Sequence, residues 1–115
     1  MSTDTDSRAI YDAIAAELAA TSPTTLSKMF SMPCLKNSTG KAFAGFHRGT
    51  MVFKLTAPQH ATALALPGAY LFDPSQQGRP WKEWVEVPAE HASKWRDLAL
   101  AAYHYVDKTT SSSHR

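Results

Sequence analysis

Between residues 6 and 20 the apolar positions Ile10, Ile14 and Leu18 recur every four residues, with Tyr11 and several alanines on the same flank. That spacing predicts an amphipathic helix, started by Asp6 or Ser7 and ended by Thr21-Ser22-Pro23. The period then changes to two. Met29–Lys36, Lys41–His47 and Thr50–Leu55 alternate as strands do, separated by the turn residues Asn37–Gly40 and Arg48-Gly49. Turns this short join antiparallel neighbours, so a meander is expected. Pro33 cannot donate to a ladder, which predicts an edge or a kink in the first strand. In the second, Ala42, Ala44 and Phe46 are expected on one face, with Phe43, Gly45 and His47 on the other.

Thr56-Ala-Pro-Gln59 has the form of a capping box, opening a short helix through Leu64 and Leu66 that Pro67-Gly68 stops. Residues 69–80 read as a loop. Trp81–Val87 reads as a fourth strand, with Trp81, Glu83, Val85 and Val87 on one side and Lys82, Trp84 and Glu86 on the other. A last helix is expected from about Ala89 to Val106, its stripe made by Trp95, Leu98, Ala102 and Tyr105 or Val106. Strands grouped together and flanked by helices predict α+β. The expected architecture is one antiparallel sheet of about four strands with an N-terminal, a short middle and a long C-terminal helix. Residues 1–108 form one domain in this reading, and 109–115 a disordered tail.

Composition adds limits. The chain has 115 residues, 43% of them hydrophobic, which suffices for a core without disulfides. Cys34 is the single cysteine, so neither an intrachain disulfide nor a cysteine zinc site is available. It reads as a small buried residue. The polar, acidic start has no signal-peptide pattern, and no apolar run reaches membrane length. A cytoplasmic protein with no membrane partner is expected.

Charge is distributed unevenly. From Thr21 to Phe72 there is no acidic residue, yet Lys28, Lys36, Lys41, Arg48 and Lys54 fall there beside His47 and His60. A one-sign surface attracts anions, so these five residues are candidates for weak, mostly non-specific nucleic-acid binding. Turn and edge lysines equally serve solubility.

Motifs for chemistry are absent. His47, His60, His91, His104 and His114 make no HxH or HExxH pair, and no GxSxG elbow or phosphate loop occurs. No metal, cofactor or catalytic residue is assigned, and a non-enzymatic protein is expected. A cleft lined by His47, Cys34 and a carboxylate would reopen the reading of a small-ligand binder or enzyme. The segment Gly78-Arg-Pro-Trp-Lys-Glu-Trp84 stands out instead. Aromatic rings beside a guanidinium suit an interface hot spot, so Arg79, Trp81, Lys82 and Trp84 are candidate partner-binding residues. With the two tryptophans on opposite strand faces, one is expected on the outer face or in a groove beside Arg79 and Lys82; in the alternative it fills a gap between the sheet and a terminal helix, with Lys82 and Glu86 as solvated neighbours.

Lys28-Met-Phe-Ser-Met-Pro33, Gly40-Lys-Ala-Phe-Ala-Gly45, Val52-Phe-Lys-Leu55, the Gly78–Trp84 segment and Val87-Pro88 together resemble the TfoX/Sxy amino-terminal-domain family. The layout is also similar to the MmcQ/YjbR-like group, often described as DNA-binding. The resemblance covers about Lys28 to Val106. It implies a curved antiparallel sheet and a role in bacterial gene regulation, and it supplies no catalytic residues. TfoX regulators carry a second, carboxy-terminal domain not found in this sequence, and Ser31-Met32 stands where members often have Gly-Gly. The expectation is a non-enzymatic bacterial regulatory or interaction domain binding a protein partner or a second copy of itself. Weak nucleic-acid binding is the alternative.

Overall fold

A computed structural model describes residues 3–22, 24–29, 32–73 and 81–112 of the chain. Helix α1 spans Thr3–Thr21. Its buried stripe is Ser7, Tyr11, Ile14, Ala15 and Leu18. Ile10, expected on that stripe, lies to one side and stays exposed. The strands are β1 (Thr24–Met29), β2 (Met32–Asn37), β3 (Ala42–His47), β4 (Thr50–Lys54), β5 (Tyr70–Phe72) and β6 (Trp81–Val87). Helix α2 (Gln59–Leu64) follows β4. A 3-10 segment, Ala89–Lys94, bends at His91 and leads into α3, Trp95–Ser112.

The α+β class holds, but among the described residues the sheet has six strands, not four, in the order β1-β2-β3-β4-β6-β5. Every neighbouring pair is antiparallel. The expected strand Met29–Lys36 is in fact the meeting of two, with Met29 opposite Met32. The edge is therefore β1, and β2 is interior. Pro33 is tolerated there because the β2–β3 pairing begins at Cys34, one residue beyond it. The expected loop over 69–80 contains β5, and its remainder, from Pro74 on, lies outside the described residues.

Turn chemistry is local and specific. Arg48 and Gly49 have φ of 51° and 88°, the positive values that a two-residue type I′ hairpin demands. Between β2 and β3 the buried Asn37 side chain organises the turn. Its Oδ1 accepts from the Thr39 and Lys41 backbone N–H groups at 3.1 and 2.9 Å and from the Thr39 hydroxyl at 2.8 Å. The capping box does not form: α2 begins after Pro58 with no side-chain cap, and the Thr56 carbonyl accepts from His60 N–H instead.

All three helices pack on one face of the sheet. Tyr11, Ile14 and Leu18 of α1 and Trp95, Leu98, Ala99, Ala102, Tyr103 and Val106 of α3 meet Leu35, Phe43, Phe46, Met51, Phe53, Val85 and Val87. The α3 stripe follows the expected helical period. Arg96 ties α3 to α1 through a two-pronged contact with Glu17 at 2.9 and 2.7 Å. No helix is long and apolar enough to cross a membrane among the described residues.

Candidate partner interface

The helix-free face is not a plain polar surface. Met32, Val52, Phe72 and Trp84 form a second buried cluster, with Ala42 and Trp81 packed against it. Among the described residues this cluster is made of strand residues alone. Two register breaks build it. Between β2 and β3, Leu35 opposes Ala44 while Lys36 opposes Ala42, so Phe43 is an extra residue. This turns Phe43 to the helix side with Ala44 and Phe46, against the strict alternation expected, and sends Ala42 to the other face.

The second break places the tryptophans. Leu71 opposes Val85, but the next residue, Phe72, opposes Trp81. Lys82, Glu83 and Trp84 are thus passed over by β5, while β4 still pairs with Trp84 through Lys54. The exposed backbone groups of the bulge find partners: His60 Nε2 donates to the Lys82 carbonyl at 2.7 Å, and Leu55 N–H to the Glu83 carbonyl at 2.8 Å. Both indoles therefore lie on the same face, correcting the expectation of opposite ones. The Trp81 ring meets Trp84 at 5.8 Å and Phe72 at 5.7 Å, each edge-on, and Phe72 meets His47 at 5.4 Å.

Within this chain of rings the roles divide. Trp84 is only 7% exposed and belongs to the core. Trp81 is half-buried and Lys82 exposed. Arg79, the expected guanidinium, lies outside the described residues. Glu86 is buried at 5%, not solvated as expected. Its Oε2 lies 2.7 Å from Thr50 Oγ1, which also lies 2.7 Å from the His47 carbonyl, so one hydroxyl proton serves two acceptors. Tyr70 completes the cluster. Burial pushes its phenol up, and the charge of Glu86 and a hydrogen bond to it push the same way.

The five basic candidates do not form one patch. Successive turns of a meander fall at opposite ends of the sheet. Lys28, opposite Pro33, and Arg48, in the β3–β4 turn, sit at one end. Lys36, Lys41 and Lys54 sit at the other, roughly a strand length or ~17 Å away. Lys54 is also partly neutralised, its Nζ 3.8 Å from Glu83 Oε1. The Tyr105 hydroxyl donates to Glu83 Oε2 at 2.6 Å, and these groups with Lys41 line a cavity of about 270 Å³.

Cys34, His47 and Glu86 share the helix-free face by register. Cys34 is completely buried, and burial raises its thiol pKa against the opposing pull of Lys36. Burial and a raised pKa are the properties of a packed thiol. Among the described residues no group of histidine, cysteine and carboxylate side chains is arranged to hold a metal ion. No protein-family model matches the chain, and no curated protein or solved structure matches it either.

Proposed function

We infer that this chain is a non-enzymatic interaction domain of the TfoX amino-terminal type, docking a protein partner through the Trp81–Lys82 end of its helix-free sheet face. The observation that carries this is the β6 bulge. It places a half-buried Trp81 and an exposed Lys82 beside a rigid base of Phe72 and Trp84. An aromatic anchor held by a packed core loses little conformational freedom on binding, which favours affinity. The buried, protonated Cys34 supports a non-catalytic reading of the same face.

The scatter of Lys28, Lys36, Lys41, Arg48 and Lys54 over both ends of the sheet weakens the nucleic-acid alternative, which needs contiguous positive charge. The test is affinity capture from bacterial lysate with the wild-type chain and a Trp81→Ala, Lys82→Glu variant shown by circular dichroism to be folded. Proteins held by the wild type and lost by the variant are expected. An identical captured set would refute this surface.

A further inference from the structure

The sheet ends in two different edges. β5 has three residues and β1 has six. Among the described residues β1 pairs with β2 alone. A long edge presents backbone N–H and C=O groups that another strand can take up, and proteins usually blunt it with proline, a bulge or several charges. β1 has no proline, no register shift against β2, and one charge, Lys28. At its middle Leu26 is 58% exposed. Leu26 opposes the core residue Leu35, so it lies on the helix side. There, with Arg8, Tyr11 and Asp12 of α1, it lines an open groove of about 480 Å³.

We propose that β1 pairs with β1 of a second copy about a two-fold axis through Leu26, joining two sheets edge to edge. Face parity fixes the register. Directly opposed residues share a face. With both sets of helices on one side, residues of like parity must therefore meet. Centred on Leu26, the pairing sets Leu26 against Leu26, Thr25 against Ser27 and Thr24 against Lys28. Centred on Ser27, it would set each Leu26 against a lysine. Centred on Thr25, it would overlap three residues only.

The Leu26 centre alone buries the exposed apolar side chain against its own copy. It gathers hydroxyl side chains on the opposite face, a favourable cross-strand pairing. It also holds the two Lys28 residues four strand positions apart, roughly 13 Å along the strand. A second copy is the occupant that brings a matching leucine and small hydroxyls at the required positions. The two-fold closes at a dimer. Pairing of β1 with β5 would be head-to-tail and open-ended, and three residues of β5 offer little ladder.

Single cysteine substitutions in the full chain, with Cys34 kept, test this. Opposed Cβ atoms in such a pair lie within disulfide reach. Under mild oxidation Leu26→Cys should give a disulfide-linked dimer about tenfold or more faster than Thr25→Cys or Ser27→Cys, whose like positions are offset across the axis. Cys34 is buried and serves as background. Sedimentation of the wild type should show a mass rising with concentration from 12.6 kDa towards twice that value. Leu26→Lys should stay monomeric, with the melting temperature that the wild type shows at dilutions where it is monomeric. Faster cross-linking at Ser27 or Thr25 overturns the register. A wild type that stays monomeric at every concentration overturns the dimer.

Discussion

Replacing each β6 tryptophan by alanine separates core from surface on the helix-free face. Trp84 is almost fully buried among Met32, Val52 and Phe72. Its removal deletes an indole from a close-packed cluster and leaves a cavity, which costs about 3–5 kcal/mol. A chain of this length has an unfolding entropy of about 0.24 kcal/mol/K, so the melting temperature should fall by roughly 12–21 °C. Trp81 is half-buried and meets Phe72 and Trp84 edge-on, at 5.7 and 5.8 Å. Losing these contacts should cost about 1–2 kcal/mol, a fall of roughly 4–8 °C. Thermal and urea unfolding followed by far-ultraviolet circular dichroism measures both. Equal losses, or a Trp84→Ala cost below about 1.5 kcal/mol, would refute the claim that a second core underlies the proposed interface. The same contrast makes Trp81, and not Trp84, the proper variant for testing partner binding.

Three further outcomes are expected. A Cβ on Gly45 would come within 2.6 Å of Met32 Cε, 3.2 Å of the Pro33 carbonyl oxygen and 3.3 Å of Val52 Cγ2. The methionine can move but the backbone cannot easily, so Gly45→Ala should destabilise by about 1–3 kcal/mol in urea unfolding. Asn37→Ala strips the acceptor from two backbone N–H groups and should cost about 2–3 kcal/mol. Asn37→Asp should cost less, because Oδ1 does the bonding and Nδ2 has no partner among the described residues. Arg96 holds the Glu17 carboxyl below its usual 4.5 through a hydrogen bond and its charge. A depressed carboxylate contributes stability above pH 4.5 that is lost as pH falls through the folded value. Wild type and Arg96→Met should therefore differ in urea midpoint at pH 7 and converge in acid; a constant gap would refute the linkage.

The helices were legible because their stripes are long: Trp95, Leu98, Ala102 and Val106 repeat over three turns and all are buried. Period-two reading failed where the chain leaves period two. The extra Phe43 and the passed-over Lys82–Trp84 segment leave no mark in a run of residues, because a bulge is defined by the partner strand. The structure consequently moves Phe43 to the helix side and unites Trp81 with Trp84. β1 was missed for a different reason. Thr24-Thr-Leu-Ser-Lys-Met lacks alternating apolar residues because neither of its faces is fully covered, and Leu26 is exposed. β5, at three residues, is shorter than any window in which alternation can be recognised. Glu86 carried a solvated expectation because its acceptors' partners, Thr50 and Tyr70, lie on other strands.

The basic segment teaches the same lesson in the other direction. Its lysines are close in sequence, but an antiparallel meander sends each successive turn to the opposite end of the sheet. Lys28 and Arg48 therefore part from Lys36, Lys41 and Lys54, and the run of one sign becomes two weaker fields. The interface candidates behave oppositely: β6 is next to the β5 edge, far from β1. Pairing through β1 does not occupy the Trp81–Lys82 surface of either copy. Nine strand spacings would then separate the two β6 strands, about 43 Å along an untwisted sheet. A partner with repeated sites at that span would gain affinity from engaging both copies, and one with a single site would not. The dependence of partner affinity on Leu26→Lys, far from the binding surface, thus reports whether the dimer and the interface act together.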